Sequence, residues 1–179
     1  MNRAASEIIH DIDSRRDSLL RSLRNLTQEQ YDFKPDSNSW SIGEVVHHLY
    51  LTEAQISTLL DRMLEKARKR TTPPANPELP SQLQSLDGFT LDVPVTPAKS
   101  PESSVPTHGL PKVDLLHNLS KSREGLKSIA SGLCEYDLSN IRFPHPELEK
   151  INLYQWLLIV GKHEQRHTIQ IEAIKLRNA

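Results

Sequence analysis

A chain of 179 residues with 36% hydrophobic side chains is long enough for one domain with a full core, and it is read as a single domain over 1–179. Lysine plus arginine number 22 against 23 aspartates and glutamates, a net charge of −1, so no electrostatic footprint for nucleic acid or an anionic membrane is present. One cysteine, Cys134, excludes an internal disulfide and suits a reducing, cytoplasmic setting as a small buried residue near a helix end.

Met1-Asn2-Arg3-Ala4 carries no apolar run of the kind a secretion signal needs, and Leu157-Leu158-Ile159-Val160 is too short to span a bilayer. Strand-like alternation is scarce, so helices should dominate. The first is expected from about Ala4 to Leu26, with Ile8, Ile12, Leu19, Leu23 and Leu26 spaced at 4, 7, 4 and 3 as an amphipathic stripe. The second opens on a capping box, Ser41-Ile42-Gly43-Glu44, with Trp40 and Val45 as a hydrophobic staple. It extends to Arg70 with Val45, Leu49, Ile56, Leu59 and Met63 inward.

Nine of the 12 prolines lie between 71 and 111, a density that no helix or central strand survives. The segment reads as a long surface connection with a short helical turn around Ser81–Leu86. A third helix covers Lys112 to Leu133, with Leu116, Leu119, Leu126, Ile129 and Leu133 on one side. Phe143-Pro144-His145-Pro146 forces an extended turn. The fourth helix starts at Asn152, capped with Gln155 and stapled by Ile151 and Trp156. Four long helices, a long Pro-rich crossover between the second and third, and no sheet give an all-α four-helix bundle.

The last helix holds His163-Glu164-Gln165-Arg166-His167. Histidines at i and i+4 share a helix face and can share a metal ion. The string also fits the H-E-x-x-H pattern of zinc proteases, whose third ligand usually lies downstream. Here the only acid beyond His167 is Glu172, at i+5 on another face, so a third ligand should lie upstream. The inward stripe Leu153, Val160, His163, His167, Ile171, Ile174 places both rings inside the bundle. His48 follows Val45 by three on the second helix and is placed inward too, with His47 turned away. Three imidazoles from two helices would half-fill a coordination sphere and leave positions for water or substrate. The alternative is three hydrogen-bonded core histidines without metal.

Glu164 faces away from the His163/His167 side, which suits a solvated or inter-helix ion-pair residue better than a base, and Arg166 shares that ambiguity. Gln170 is placed to support His167 from behind. Tyr50 and His145 are the other polar candidates near the site, and no residue is assigned as catalytic acid or base. His145, held between two prolines, could line a pocket mouth, but a structural turn is the favoured role. His10, His47, His108 and His117 are read as surface or loop residues.

Together, Trp40 to Leu49, Phe143 to Pro146 and His163 to Gln170 resemble the DinB-like (YfiT-like) superfamily of four-helix-bundle metalloenzymes. The resemblance spans about residues 5 to 176. It implies a divalent metal, nickel or zinc most often, held by His48, His163 and His167. It also implies transfer of a small-molecule thiol of the bacillithiol or mycothiol type to an electrophilic substrate, and frequent homodimers. Three other readings compete with it. They are a stress-response or small-molecule-binding bundle with a structural metal, a zinc hydrolase using Glu164, and the metal-free bundle.

Overall fold

The structure is a computed structural model, and it describes residues 3–69, 73–74, 76, 79–87, 102–133, 135–145 and 148–178. Cys134 and residues 71–72, 75, 77–78 and 88–101 of the Pro-rich stretch lie outside the described residues, as do Arg70 and the side chain of Leu133.

Helix α1 runs Arg3–Ser22 and ends four residues before the expected Leu26. Asn25 adopts φ 63, a left-handed conformation that asparagine tolerates, and it reverses the chain. A five-residue helix, α2 (Gln28–Asp32), follows and was not anticipated. Its start is nonetheless written in the sequence: Thr27 and Gln30 form a reciprocal capping box, 2.9 and 3.2 Å. Helix α3 (Ile42–Lys69) begins at the expected cap, with the Ser41 N–H donating to Glu44 at 2.8 Å and the Glu44 N–H to Ser41 Oγ at 3.2 Å. Leu60 is fully buried in the position expected of Leu59, which is only partly covered.

Helix α4 has the expected limits, Lys112–Leu133. Its buried stripe is shifted by one position at both ends, Leu115 and Ala130 in place of Leu116 and Ile129. Helix α5 (Leu153–Arg177) is capped by Asn152, whose side chain accepts from the Gln155 N–H while Gln155 Oε1 accepts from the Asn152 N–H, both at 2.9 Å.

The expectation of no sheet is corrected at one place. Arg142–His145 (β1) pairs antiparallel with Glu149–Asn152 (β2), with Phe143 opposite Ile151 and Pro144 opposite Lys150. The prolines that were read as a turn also hold their preceding residues extended, and extended backbone becomes a strand wherever a partner runs alongside. Both strands are edges, so Pro144 costs no ladder bond that the pair needs. The crossover is likewise not wholly superficial: turns occupy 83–87, and Leu86 is fully buried in the core.

Packing pairs α1 with α5 and α3 with α4, while α3 also lies against α5. The apolar core divides into two clusters. One, toward the hairpin, contains Ile8, Ile12, Ile56, Leu60, Leu126 and Val160; the other contains Leu19, Val45, Leu49, Leu119 and Ile171. Between them lies a charged layer to which each long helix gives one residue: Arg16, Glu53, Arg123 and Glu164, with side-chain exposures of 4% and 2% for the glutamates and 7% for each arginine.

Candidate metal centre

The charged layer forms the floor of the site. Arg16 donates to both Glu53 and Glu164, and to the Leu119 carbonyl at 2.6 Å. Arg123 does the same from the opposite side, reaching Glu53 at 3.1 and 3.2 Å, Glu164 at 3.0 Å and the Ile12 carbonyl at 2.7 Å. Two carboxylates against two guanidiniums make a neutral, hydrogen-bonded set, the condition under which buried charge is tolerated. Both oxygens of Glu164 are thereby occupied. The inter-helix ion-pair reading of Glu164 holds, the solvated one does not, and the carboxylate is not free to act as a hydrolase base.

The signal for this layer was present in the sequence. On α1, α3 and α4 the inward apolar stripe shows a gap of seven: Ile12 to Leu19, Leu49 to Ile56, Leu119 to Leu126. Arg16, Glu53 and Arg123 each stand four residues into that gap, on the buried face. Glu164 stands four after Val160 in the same way.

His48, His163 and His167 meet directly above, with His48 and His167 buried and His163 half-buried. Their arrival from α3 and α5 follows from helix spacing; Gly161 helps, because a Cβ there would lie 2.8 Å from the Arg15 side chain and hold α1 off α5. His48 Nδ1 lies 2.8 Å from the Ser104 carbonyl, and His167 Nδ1 lies 2.7 Å from Gln170 Oε1. A carbonyl only accepts, so each Nδ1 carries the proton and each Nε2 presents a bare lone pair. Those Nε2 atoms stand 3.2 and 3.1 Å from Nε2 of His163. His163 can donate to one of them at most, which leaves the other pair lone pair to lone pair.

A divalent cation removes that conflict. Two metal–nitrogen bonds of about 2.0–2.1 Å at ordinary coordination angles hold their nitrogens roughly 3.0–3.4 Å apart, as the His48–His163 and His163–His167 separations are, and all three donor atoms lie within 4.8 Å of one another. Burial lowers the pKa of all three rings, and charge adds to it: His167, beside His48 and Arg166, is brought to about 4, His163, beside His167, His48 and Arg166, lies well below its ordinary value, and His48, beside Arg166 and His47, is lowered although its bond to Ser104 opposes the shift. Neutral imidazoles at neutral pH are what a metal requires.

Between the folded and unfolded pKa values the unfolded chain binds more protons, so stability falls as pH falls. The metal-free protein should hold its full stability above about pH 6.5 and lose roughly 3 kcal/mol on the His167 account alone as pH drops toward 4. Denaturant titrations at pH 7 and pH 5 measure this; equal midpoints would contradict it.

The other site candidates lie elsewhere. Tyr50 is two residues past His48, about 200° around α3, and stacks on His47 at 6.2 Å between ring centres. His145 packs on Trp156 at 4.9 Å, and Trp156 is two helical turns, roughly 10 Å, before His163. Gln170 does sit against His167. Gln170→Ala is expected to weaken metal affinity about 10–100-fold at unchanged stoichiometry, in competition with a chelator.

Two features were missed. Trp40, read only as a staple, roofs the cluster with its ring centre 4.9 Å from His48 and 6.4 Å from His167. The end of the crossover is strapped along α3: Gln55 bonds Ser103, the Thr107 N–H donates to His47 Nδ1 at 2.9 Å, and His108 approaches Glu44 at 3.4 Å. His47 and His108, read as surface or loop residues, are half-buried and exposed respectively, and both make strap contacts. His10 and His117 are exposed. No helix among the described residues is long and apolar enough to cross a membrane.

Comparisons with known proteins agree with this architecture. The solved structure of TT2238, a four-helix bundle protein, superposes with a TM-score of 0.64 over 94% of this chain and 98% of that one, at 19% identity, which speaks to the fold. The uncharacterized protein YuaE of Bacillus subtilis (strain 168) is 28% identical over 159 residues, 86% of this chain and 88% of that protein. The sequence pattern of the DinB superfamily matches residues 11–171, nearly the whole bundle, and the chain belongs to that superfamily.

Proposed function

We propose that this chain is a divalent-metal-dependent transferase in which His48, His163 and His167 hold nickel or zinc and a small-molecule thiol is activated for attack on an electrophile. The observation that carries the reading is the convergence of three Nε2 atoms, two of them shown bare by the Nδ1 bonds to Ser104 and Gln170. Bound there, the cation would lower the pKa of a coordinated thiol and keep it as the thiolate nucleophile. The chain's own residues fix the conditions. Ser104 and Gln170 hold the tautomers, Trp40 covers one side of the rings, and the neutral layer beneath keeps Glu53 and Glu164 from competing for the ion.

The test is to load the protein with cobalt(II), add cysteine or another small thiol, and record the sulfur-to-metal charge-transfer absorption. A band that is absent in His48→Ala supports the reading; no band with any thiol removes it. A second reading, a structural metal, draws on the gap beside His163. That gap measures about 10 Å³ and is lined by Leu49, Thr52, Glu53, Ile56, Val160 and Glu164, little more than room for one water. Under it the loaded cobalt spectrum stays unchanged by every thiol.

A further inference from the structure

Among the described residues, Arg166 has no counter-charge. Arg16 and Arg123 are enclosed by carboxylates, and Arg15, half-buried, binds Asp11 and Gln165. Arg21, Arg24, Arg62 and Arg142 also lack ion pairs among the described residues, but they are exposed. Arg166 is half-buried and makes no hydrogen bond or ion pair with a described residue.

Its position makes this more than a loose surface charge. It lies on the same turn of α5 as the two ligands, three residues after His163 and one before His167. Glu164 is about 200° around the helix, so Arg166 leaves α5 on the side away from the charged layer, one turn before Gln170. Its charge is felt by all three imidazoles. A guanidinium kept partly out of water without an anion is costly, and its planar fork fits a carboxylate or a phosphate through two parallel hydrogen bonds.

We propose that Arg166 anchors an oxyanion on the molecule that completes the three-histidine centre, so that this molecule is a small acid held at two points. One point is a donor atom directed at the histidine cluster. The other is a carboxylate- or phosphate-class group on the Arg166 fork. This inference rests on the metal-centre reading and adds the chemical class of the ligand to it.

Three thiols of matched length separate the possibilities: 2-mercaptoethanol, 3-mercaptopropionate and 2-mercaptoethylphosphonate. Each is titrated into the cobalt(II)-loaded protein and followed by visible absorption. In the parent, at least one acidic thiol should bind about tenfold or more tightly than mercaptoethanol, and which one shows whether the carboxylate or phosphate class is preferred. Arg166→Gln should bring the ratio of acidic-thiol to mercaptoethanol affinity to about one while leaving cobalt stoichiometry unchanged, and Arg166→Lys should retain part of the preference. A parent without preference, or an Arg166→Gln variant with the parent's ratio, overturns the inference alone. Failure of the parent to take up cobalt, or of all three thiols to bind it, overturns the transferase reading and this inference with it.

Discussion

Glu164→Ala is expected to destabilise the fold by roughly 3–5 kcal/mol, because it strands Arg16 and Arg123 in the core with one carboxylate between them. A domain of this size is stable by only about 5–15 kcal/mol, so the variant should unfold at markedly lower temperature or denaturant concentration. The cost belongs to the broken set and not to the absence of charge. Replacing Arg16, Glu53, Arg123 and Glu164 together by apolar residues of similar volume should be far milder, and could even raise stability. Thermal unfolding of the two variants decides the matter. A Glu164→Ala protein with unchanged stability and a lost hydrolytic activity would instead make Glu164 a base, as the H-E-x-x-H pattern taken alone suggests.

The second large effect has the opposite sign in the metal-free state. His163→Leu should leave the metal-free protein as stable as the parent or more so. It removes a half-buried ring whose Nε2 faces two lone pairs, and it puts an apolar side chain next to Val160 and Leu49. The parent should gain about 4 kcal/mol at an ion concentration a thousand times its Kd, and the variant nothing. Unfolding curves with and without zinc or nickel give both numbers. A metal-free His163→Leu protein weaker by several kcal/mol would mean that the ring is a satisfied core residue, as the metal-free bundle requires.

Much of this architecture is legible in the residues. The starts of α3 and α5 were readable because Ser41/Glu44 and Asn152/Gln155 are reciprocal caps, and the helices follow from stripes with a 3.6 period. His48, His163 and His167 were legible as a group because they interrupt those stripes at helical spacing. The charged layer interrupts them in the same way. It was overlooked because a lone Arg or Glu on a helix is ordinarily solvated, and only the four together make burial tolerable. The β1–β2 hairpin was hidden by Pro144, which argues against a central strand but not against an isolated pair of edges. The strap at 102–108 had no local signal at all. Its bonds to His47, His48 and Gln55 join residues 48 to 60 positions apart, and such contacts depend on the tertiary path of the crossover.

The triad also clarifies why the helix pair alone is not enough. His163 and His167 come from one helix, so any i, i+4 pair would provide them; His48 must be delivered by the packing of α3 on α5. Dependence on His48 therefore separates a built centre from a chance pair.

Elemental analysis addresses this most directly, on protein purified without a histidine tag, incubated with excess nickel or zinc and dialysed, beside His48→Ala. About one equivalent of ion in the parent and loss of it in the variant is the predicted result, since two imidazoles on one helix hold a divalent ion far more weakly than three. A parent that retains no metal, or a His48→Ala protein that retains as much as the parent, would contradict the three-histidine centre.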